Sequence, residues 1–172
     1  ARKLDPNDPK LNVLRNIIKD KSDLPNNKVM LFSSFRHTLH YLYKHLKAEG
    51  LRVGMIHGGT ANDDRVELRS RFELQREQDR CLDVLLFSEI GCEGLDYQFC
   101  DCIINYDIPW NPMRIEQRIG RVDRHGQKSE SVAIINLITP GTVDADIYDR
   151  CLMRIGVFNN AIGGSEEILG EV

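Results

Sequence analysis

The sequence predicts a doubly wound α/β fold, in which helices cover both faces of a mostly parallel sheet. Five short runs are mostly apolar on consecutive residues rather than on alternate ones, which is typical of strands buried on both faces. Helical patterns separate several of these runs, and such alternation of strand and helix favours a parallel sheet. The runs are VMLF (29–32), RVGMI (52–56), DVLLF (83–87), CIINY (102–106) and VAIINLI (132–138).

Helices are predicted between and around these strands. The first covers roughly residues 7–21 and precedes the sheet. Thr60, with Asp63 three residues later, has the spacing of a capping box and predicts a helix start. Thr142, with two aspartates behind it, suits the start of the last helix. The apolar stripes of the later helices are made by Leu39, Leu42, Tyr43 and Leu46, by Leu68 and Phe72, and by Val143, Ile147, Leu152 and Ile155.

Composition limits the class of protein. With 172 residues, 41% of them hydrophobic and 28% charged, the chain has the size of one domain and an ordinary globular make-up. No apolar run approaches the roughly 20 residues of a membrane span, and the N-terminal ARKLDPNDPK lacks the apolar region of a secretory signal. Because the first residue is Ala rather than Met, we expect a segment of a longer protein.

Cysteine usage and net charge narrow the chemistry further. The five cysteines are an odd number without a C-x-x-C pair, so buried free thiols in a reducing compartment are expected rather than a structural zinc site. The formal net charge of -3 argues against a broad basic surface for nucleic acid. It leaves room for a local basic groove.

The stretch IEQRIGRVDRHGQ (115–127) sets arginines three residues apart. Neighbouring carboxylates could neutralise them, which would make this an ordinary solvated helix. Phosphate is the other candidate, because the planar guanidinium fork matches phosphate oxygens. As a helix, the stretch would place Gln117, Arg121 and Arg124 on one face and Ile115, Ile119 and Val122 on the opposite face.

Ligands of a doubly wound sheet bind at the carboxyl ends of the strands. Those exits here are 33–34, 57–59, 88–96 and 107–112. Neither a G-x-x-x-x-G-K-[ST] loop nor a G-x-G-x-x-G loop is present in the sequence. Arginines suited to phosphate without a phosphate cradle predict a split phosphoryl-transfer site, in which another domain holds the nucleotide and magnesium. Asp107 ends a run that resembles a magnesium-holding strand, although this pattern is common in α/β proteins.

Four segments resemble the motifs of superfamily 2 helicases and translocases, in family order. QRIGRVDRHGQ (117–127) resembles motif VI, and its closing His-Gly-Gln is similar to the SWI/SNF-like branch. LLFSEIGCEGLDYQFCDCIINYDIPWNP (85–112) resembles motif V of that branch and its Trp-Asn-Pro signature. KVMLFSSF (28–35) resembles motif IV, and HGGTANDDR (57–65) resembles the segment after the next strand. Within the branch, the chain resembles bacterial translocases that recycle RNA polymerase.

The resemblance implies the second RecA-like lobe of an ATP-driven motor, a three-layer α/β domain. Asp96 stands where many SWI/SNF-like proteins carry Asn, closer to the DEAD-box version, so DNA and RNA both stay open as substrates. Trp110 is interpreted as a plug for its loop rather than as a base-stacking residue, and Glu89 as a residue that orders its loop. Of the two catalytic arginines that the resemblance implies, Arg124 is the first candidate for the arginine finger and Arg121 is the second phosphate contact. The other implied roles are nucleotide contacts for Gly94, Asp96 and Gln117, and nucleic-acid contacts for Ser34, His57, Gly58, Gly59, Arg65 and Ser88.

The resemblance also implies an organisation and a set of partners. A linker with the first helix would occupy residues 1–27, the RecA-like domain residues 28–157 and a tail residues 158–172. ATP and Mg²⁺ would be held mainly by a missing first lobe, and the isolated segment would be inactive. Expected partners are the N-terminal RecA-like lobe, DNA with RNA as the alternative, and RNA polymerase, without a membrane. A cytoplasmic protein is expected, associated with the nucleoid if it is bacterial.

Three other functions remain open at this point. A non-enzymatic regulatory or partner-binding module would keep the fold without the chemistry. A lobe of a DEAD-box-like RNA helicase would share most of the motifs. A magnesium-dependent hydrolase would use Asp83, Glu89, Glu93 and Asp96.

Overall fold

The computed structural model describes residues 8–89, 94–123, 125–143 and 145–148. Within them, helices and strands alternate as far as residue 87, and the next described element is again a strand. The elements are α1 (Pro9–Ser22), β1 (Val29–Phe32), α2 (Arg36–Ala48), β2 (Val53–Ile56), α3 (Asn62–Glu73), β3 (Val84–Phe87), β4 (Cys102–Asn105), α4 (Pro112–Ile119) and β5 (Ala133–Asn136).

The five strands form one parallel sheet in the order β2-β3-β1-β4-β5. Each predicted apolar run contains one of the strands, so all five predictions are confirmed. In register, Leu31 of β1 lies beside Leu86 of β3 on one side and Ile104 of β4 on the other. The central strands β1, β3 and β4 are buried along their whole length.

Alternate residues of each strand build two separate cores. Val29 and Leu31 face the layer of α1 and α2, while Met30 and Phe32 face the layer that contains Phe72 of α3. The period of two in a strand therefore produces three layers, helices over sheet over helix. This arrangement confirms the predicted three-layer, RecA-like α/β class.

Helix α1 is part of this packing. Its Leu11, Leu14 and Ile18 are buried in the same core as β1 and α2. The helix begins at an N-cap, Asp8, whose side chain accepts hydrogen bonds from the amides of Lys10 and Leu11.

The strand order defines a crevice at one end of the sheet. The connection after β1 leads to β2 on one side, and the connection after β4 leads to β5 on the other. The two loops diverge between β1 and β4, which makes this the topological switch point where ligands of open α/β sheets bind.

Two local predictions were wrong. Helix α3 has Ala61 as its N-cap without a side-chain cap bond, because the Thr60 hydroxyl oxygen instead accepts a hydrogen bond from the amide of His57 at 3.0 Å. Helix α4 ends at Ile119 with Gly120 as its C-cap, so Arg121 lies in the following turn and not on a helical face with Gln117.

The last predicted helix lies only partly within the described residues. The carbonyl of Thr142 accepts hydrogen bonds from the amides of Ala145 and Asp146, as expected at a helix start, and residues 145–148 are helical. Leu152 and Ile155 lie outside the described residues. Over the part of the chain that is described, the helices are too short or too polar to cross a bilayer.

Candidate nucleotide and nucleic-acid site

Asp107 holds together the two loops of the switch-point crevice. It is 5% exposed, and one carboxylate oxygen accepts a hydrogen bond from the amide of Ser34 at 2.7 Å, while the other accepts one from the hydroxyl of Ser33. Both oxygens are therefore used inside the protein. Asp107 serves to fix the loop after β1, which agrees with the interpretation of this strand end as the common α/β pattern rather than a magnesium-holding strand.

In this loop, the side chain of Ser34 is exposed. Its amide is held by Asp107, and its hydroxyl donates to Glu89 at 3.2 Å. Glu89 follows β3, the neighbour of β1, so the carboxyl ends of two adjacent strands meet here. Glu89 thus orders the loops around it, in agreement with its sequence-based interpretation.

Glu89 in turn binds Arg118, a buried arginine that the sequence reasoning left without a role. Arg118 is 2% exposed, donates from Nη1 to Asn105 Oδ1 at 2.6 Å and from Nη2 to Glu89, and lies 5.0 Å from the ring centroid of Phe32. Its Nε finds no acceptor among the described residues. Asn105 donates onward to Asn136 at 2.8 Å. The role of this arginine is therefore to make contacts inside the domain.

Arg121, three residues later, has a different environment. Its side chain is 26% exposed, and its Nη1 lies 3.8 Å from Asp96 Oδ1, which is an ion pair beyond hydrogen-bond distance. The backbone at Arg121 is anchored, since its carbonyl accepts a hydrogen bond from the amide of Tyr97 at 2.8 Å. The fold brings the predicted finger and the predicted nucleotide contact together, with the guanidinium still reachable from outside.

The other predicted nucleotide residues are less constrained. Gly94 has φ of +88°, a left-handed conformation that favours glycine, and a Cβ there would meet nothing within 4 Å. Gln117 is exposed on α4. Arg124, the other predicted finger, lies outside the described residues.

The Trp-Asn-Pro signature has a local physical reason. Asn111 is the N-cap of α4, and its side-chain oxygen accepts a hydrogen bond from the amide of Met113 at 3.1 Å. Pro112 occupies the first turn, where its missing N–H costs nothing. Trp110 is 75% exposed, so its interpretation as a loop plug was wrong.

The segment after β2 forms a tight turn that a single arginine braces. The His57 carbonyl accepts from the Thr60 amide at 2.9 Å, and Arg65 donates to the carbonyls of Thr60 and His57 at 3.1 and 3.3 Å. Gly59 leaves room for the His57 ring, because a Cβ there would lie 3.2 Å from that ring, closer than most Cβ contacts. Gly58 is exposed in the same turn.

His57 is a hydrogen-bond acceptor in this turn. Its Nδ1 accepts from the amide of Gly59 at 3.0 Å, which requires a neutral ring nitrogen. Burial lowers the pKa of His57 below its usual value, and the positive charges of Arg36, His40 and Arg65 lower it further. The corner between α2 and α3 therefore has a positive potential.

The predicted residues fall into two groups. Ser34, Ser88 and the His57 turn follow β1, β3 and β2, which are neighbours in the sheet, and the Ser88 amide donates to Ile56 at 3.0 Å. Asp96 and Arg121 form the other group. Glu89 and Arg118 connect the two groups. Ser34 and Arg118 both donate to Glu89, and Arg118 precedes Arg121 by three residues in the chain.

The carboxylates of the alternative hydrolase do not converge. Asp83 precedes β3 and accepts from the guanidinium of Arg52 at 2.7 Å through both oxygens, whereas Glu89 follows the same strand at its other end. Glu93 lies outside the described residues. Within the described ranges, no group of three or more His, Cys, Asp or Glu side chains could hold a metal ion.

The described cysteines are free and buried, as the sequence predicted: Cys81, Cys100 and Cys102. Burial raises the pKa of the Cys100 thiol to about 12 and that of the Cys102 thiol to about 11. These two thiols are therefore protonated and unreactive at neutral pH. Cys92 and Cys151 lie outside the described residues.

Comparison with known proteins gives this geometry a family. Residues 9–126 match the helicase conserved C-terminal domain. The chain is 35% identical over 147 residues to the uncharacterized ATP-dependent helicase YqhH of Bacillus subtilis, covering 86% of this chain and 25% of that protein. It is 37% identical over 124 residues to the RNA polymerase-associated protein RapA of Photobacterium profundum, covering 72% and 12% respectively.

A eukaryotic relative and a solved structure agree with this. The DNA repair and recombination protein RAD54B of Mus musculus is 34% identical over 149 residues, covering 86% of this chain and 16% of that protein. The crystal structure of the C-terminal part of the Fun30 ATPase domain superposes with a TM-score of 0.74 at 25% identity, covering 83% of this chain and 45% of that one. The chain spans a quarter or less of the three curated relatives. It belongs to the helicase conserved C-terminal domain family, as the C-terminal RecA-like lobe of a SWI/SNF-like superfamily 2 helicase or translocase.

Proposed function

We propose that this chain is the second motor lobe of an ATP-dependent SWI/SNF-like DNA translocase. In this proposal, a first lobe elsewhere in the full-length protein holds ATP and Mg²⁺, and this lobe completes the hydrolytic site with arginine fingers. A finger accelerates phosphoryl transfer by about 10³–10⁵ because it neutralises charge that develops in the transition state. The isolated chain would therefore bind ATP poorly and hydrolyse none.

The observation that carries the proposal is the environment of Arg121. Its guanidinium is partly exposed and lies 3.8 Å from a carboxylate oxygen of Asp96. The Asp96 side chain is 36% exposed. A nucleotide arriving between two lobes would offer a phosphate to Arg121 and a ribose hydroxyl to Asp96. Arg121 would then exchange a loose contact for a shorter one. Arg124 is the second finger in this proposal, with Gly94 and Gln117 also facing the nucleotide.

The nucleic acid would lie along the exits of β1, β2 and β3. Ser88 and Arg65 are donors for phosphates there, and the Ser34 hydroxyl would exchange its contact with Glu89 for one with a phosphate. The turn of His57, Gly58 and Gly59 lets a phosphate approach the backbone. Such contacts position the backbone and carry no sequence information. DNA is favoured over RNA because the name of the RAD54B relative concerns DNA repair and recombination. The name of RapA makes RNA polymerase a candidate partner.

The remaining features of the proposal follow the family organisation. The RecA-like domain covers residues 28–157, with residues 1–27 leading into it and residues 158–172 as a tail. The protein would act in the cytoplasm, at the nucleoid in a bacterium.

The test is the change Arg121→Ala in the full-length protein. We expect kcat for ATP hydrolysis to fall by about 10³ or more, with nucleotide affinity nearly unchanged, because the finger acts in the transition state. Arg15→Ala is the matched control, since Arg15 pairs with Glu49 on the surface of α1. ATPase activity measured against ATP concentration separates kcat from affinity.

Three outcomes would contradict the proposal. A loss of ATP affinity with kcat preserved would make Arg121 a simple binding residue. Unchanged activity would favour a regulatory or partner-binding module. Stimulation of the wild-type ATPase by RNA and not by duplex DNA would favour the lobe of a DEAD-box-like RNA helicase.

A further inference from the structure

The exposed side of α2 carries a row of basic side chains. Helix α2 contains no Asp or Glu between Arg36 and Ala48. At 3.6 residues per turn, the four members of the row fall within about 80° of one another and extend over about 16 Å. We call this set the α2 row: Arg36, His40, Lys44 and Lys47, all exposed.

Several surface arginines of the described ranges are paired with carboxylates, whereas the exposed Arg76 donates to the carbonyl of Ser22. Arg15 lies 2.6 Å from Glu49, Arg69 lies 2.8 Å from Glu73, and Arg80 lies 2.5 Å from Glu67. In the α2 row, by contrast, no carboxylate of the described ranges lies within ion-pair distance of a member. Lys47 instead contacts the neutral Tyr43, to whose hydroxyl it donates at 3.1 Å.

This arrangement is unfavourable for the isolated lobe. Like charges at i, i+4 repel by a few tenths of a kcal/mol, and positive side chains in the first turn oppose the helix dipole. The first turn of α2 has no acidic residue and its N-cap, Phe35, provides no side-chain cap. In a chain with a net charge of -3, an uncompensated positive row favours a polyanion from outside.

The row begins at the proposed nucleic-acid edge. Arg36 lies two residues after Ser34, and a Cβ built on Gly59 would be 4.0 Å from Arg36 Nη2. The ring of His40 lies 6.1 Å from that of His57. The row therefore continues outward from the exits of β1 and β2, along the outer surface of the lobe.

We propose that the α2 row is an additional binding surface for the sugar–phosphate backbone of nucleic acid, beyond the contacts at the strand exits. The inference rests on the proposed function, since it extends the same ligand path. Its length of about 16 Å corresponds to about five phosphates of one strand at 3.4 Å spacing. Flexible lysines and an exposed arginine suit a backbone that is bound without reading its sequence.

The experiment measures how salt weakens binding to duplex DNA. The full-length protein, without nucleotide, is titrated with a fluorescein-labelled duplex at several NaCl concentrations. The double change Lys44→Ala with Lys47→Ala is expected to reduce the slope of log K against log [salt] by about two, since each phosphate contact contributes about 0.9. Affinity at 0.1 M salt should fall roughly tenfold or more.

Two matched variants identify the cause. Lys19→Ala with Lys128→Ala removes the same charge from exposed positions off the row, and it should change the slope by much less. Lys44→Arg with Lys47→Arg keeps the charge and should keep the slope. ATPase activity without DNA should be unchanged in all of these variants.

The outcomes separate this inference from the proposed function. An unchanged slope in the Lys44 and Lys47 variant, or an equal decrease in the off-row control, would overturn the role of the α2 row. If Arg65→Ala still weakened DNA binding in that case, the proposed function would stand. If the wild-type protein had no salt-dependent affinity for duplex DNA, both would fail.

Discussion

Arg118 and Arg121 are three residues apart in the same motif, yet they occupy opposite environments. Arg118 is 2% exposed and donates to Asn105 and Glu89 over the ring of Phe32. Arg121 is 26% exposed and has a loose ion pair at 3.8 Å. The helix ends between them, at Ile119, and this change of backbone direction places their side chains in different environments.

The difference teaches that regular spacing of arginines does not imply a common ligand. A buried guanidinium needs hydrogen-bond partners inside the protein, because removing it from water is costly, and its burial keeps it out of reach of a nucleotide. A half-exposed guanidinium with one loose partner keeps its capacity for a phosphate. Arg118 is therefore a structural residue, and Arg121 is the candidate for chemistry.

The largest effect on stability should come from Arg118→Ala. The change leaves Glu89 and Asn105 without their donor and opens a cavity beside Phe32, so the free energy of unfolding should fall by about 3–5 kcal/mol. Urea denaturation of the purified chain measures it. Arg121→Ala is the matched control and should change stability by about 0.5 kcal/mol or less. Equal losses in the two variants would remove the distinction between them.

A smaller effect is expected from Glu89→Gln. The amide keeps the size of the side chain but withdraws the negative charge that faces Arg118, and a hydrogen bond to a charged group is worth about 1.5–3 kcal/mol. Glu73→Gln provides the comparison, because its partner Arg69 is on the surface and such pairs contribute about 0–1 kcal/mol. If Glu89→Gln cost no more than Glu73→Gln, the buried pair would not be what fixes α4 against the sheet.

The sheet could be predicted because its signal is local. Strands buried on both faces must be apolar on consecutive residues, and each of the five apolar runs of the sequence contains one strand. The burial of Arg118 was harder to predict. On a helical wheel it falls about 40° from Val122 and about 60° from Arg121, at the border between the apolar stripe and the polar face, so spacing alone did not decide its environment.

The contacts that build the site could not be predicted from the sequence in the same way. Asp107 binds Ser33 and Ser34 across 74 and 73 residues, and Arg118 binds Glu89 across 29, so these pairs are decided by which strands become neighbours. Sequence motifs pointed to these loops as the candidate site. They did not show which polar groups would form hydrogen bonds with other loops and which would stay free to bind a ligand. That depends on the packed structure.

His57 extends the comparison to a group that can lose its charge. Arg118 donates to a carboxylate, Glu89, whereas His57 lies beside Arg36, His40 and Arg65, and the pKa of His57 is lowered by burial and by these cations. Between the folded-state pKa and the unfolded value of about 6.5, the unfolded chain binds more protons, so stability rises with pH there. The contribution is complete above about pH 6.5 and is lost as the pH falls below it. We expect this to be the smallest of the three effects.

The measurement is the free energy of unfolding of the wild-type chain and of His57→Gln, followed downward from pH 7. The wild type should lose more stability below about pH 6.5 than the variant, because protonation removes the Nδ1 acceptor that holds the amide of Gly59. Parallel curves would mean that His57 is not a neutral acceptor in the folded turn. The contrast between Arg118 and His57 would then rest on exposure alone, and not on the sign of the neighbouring charges.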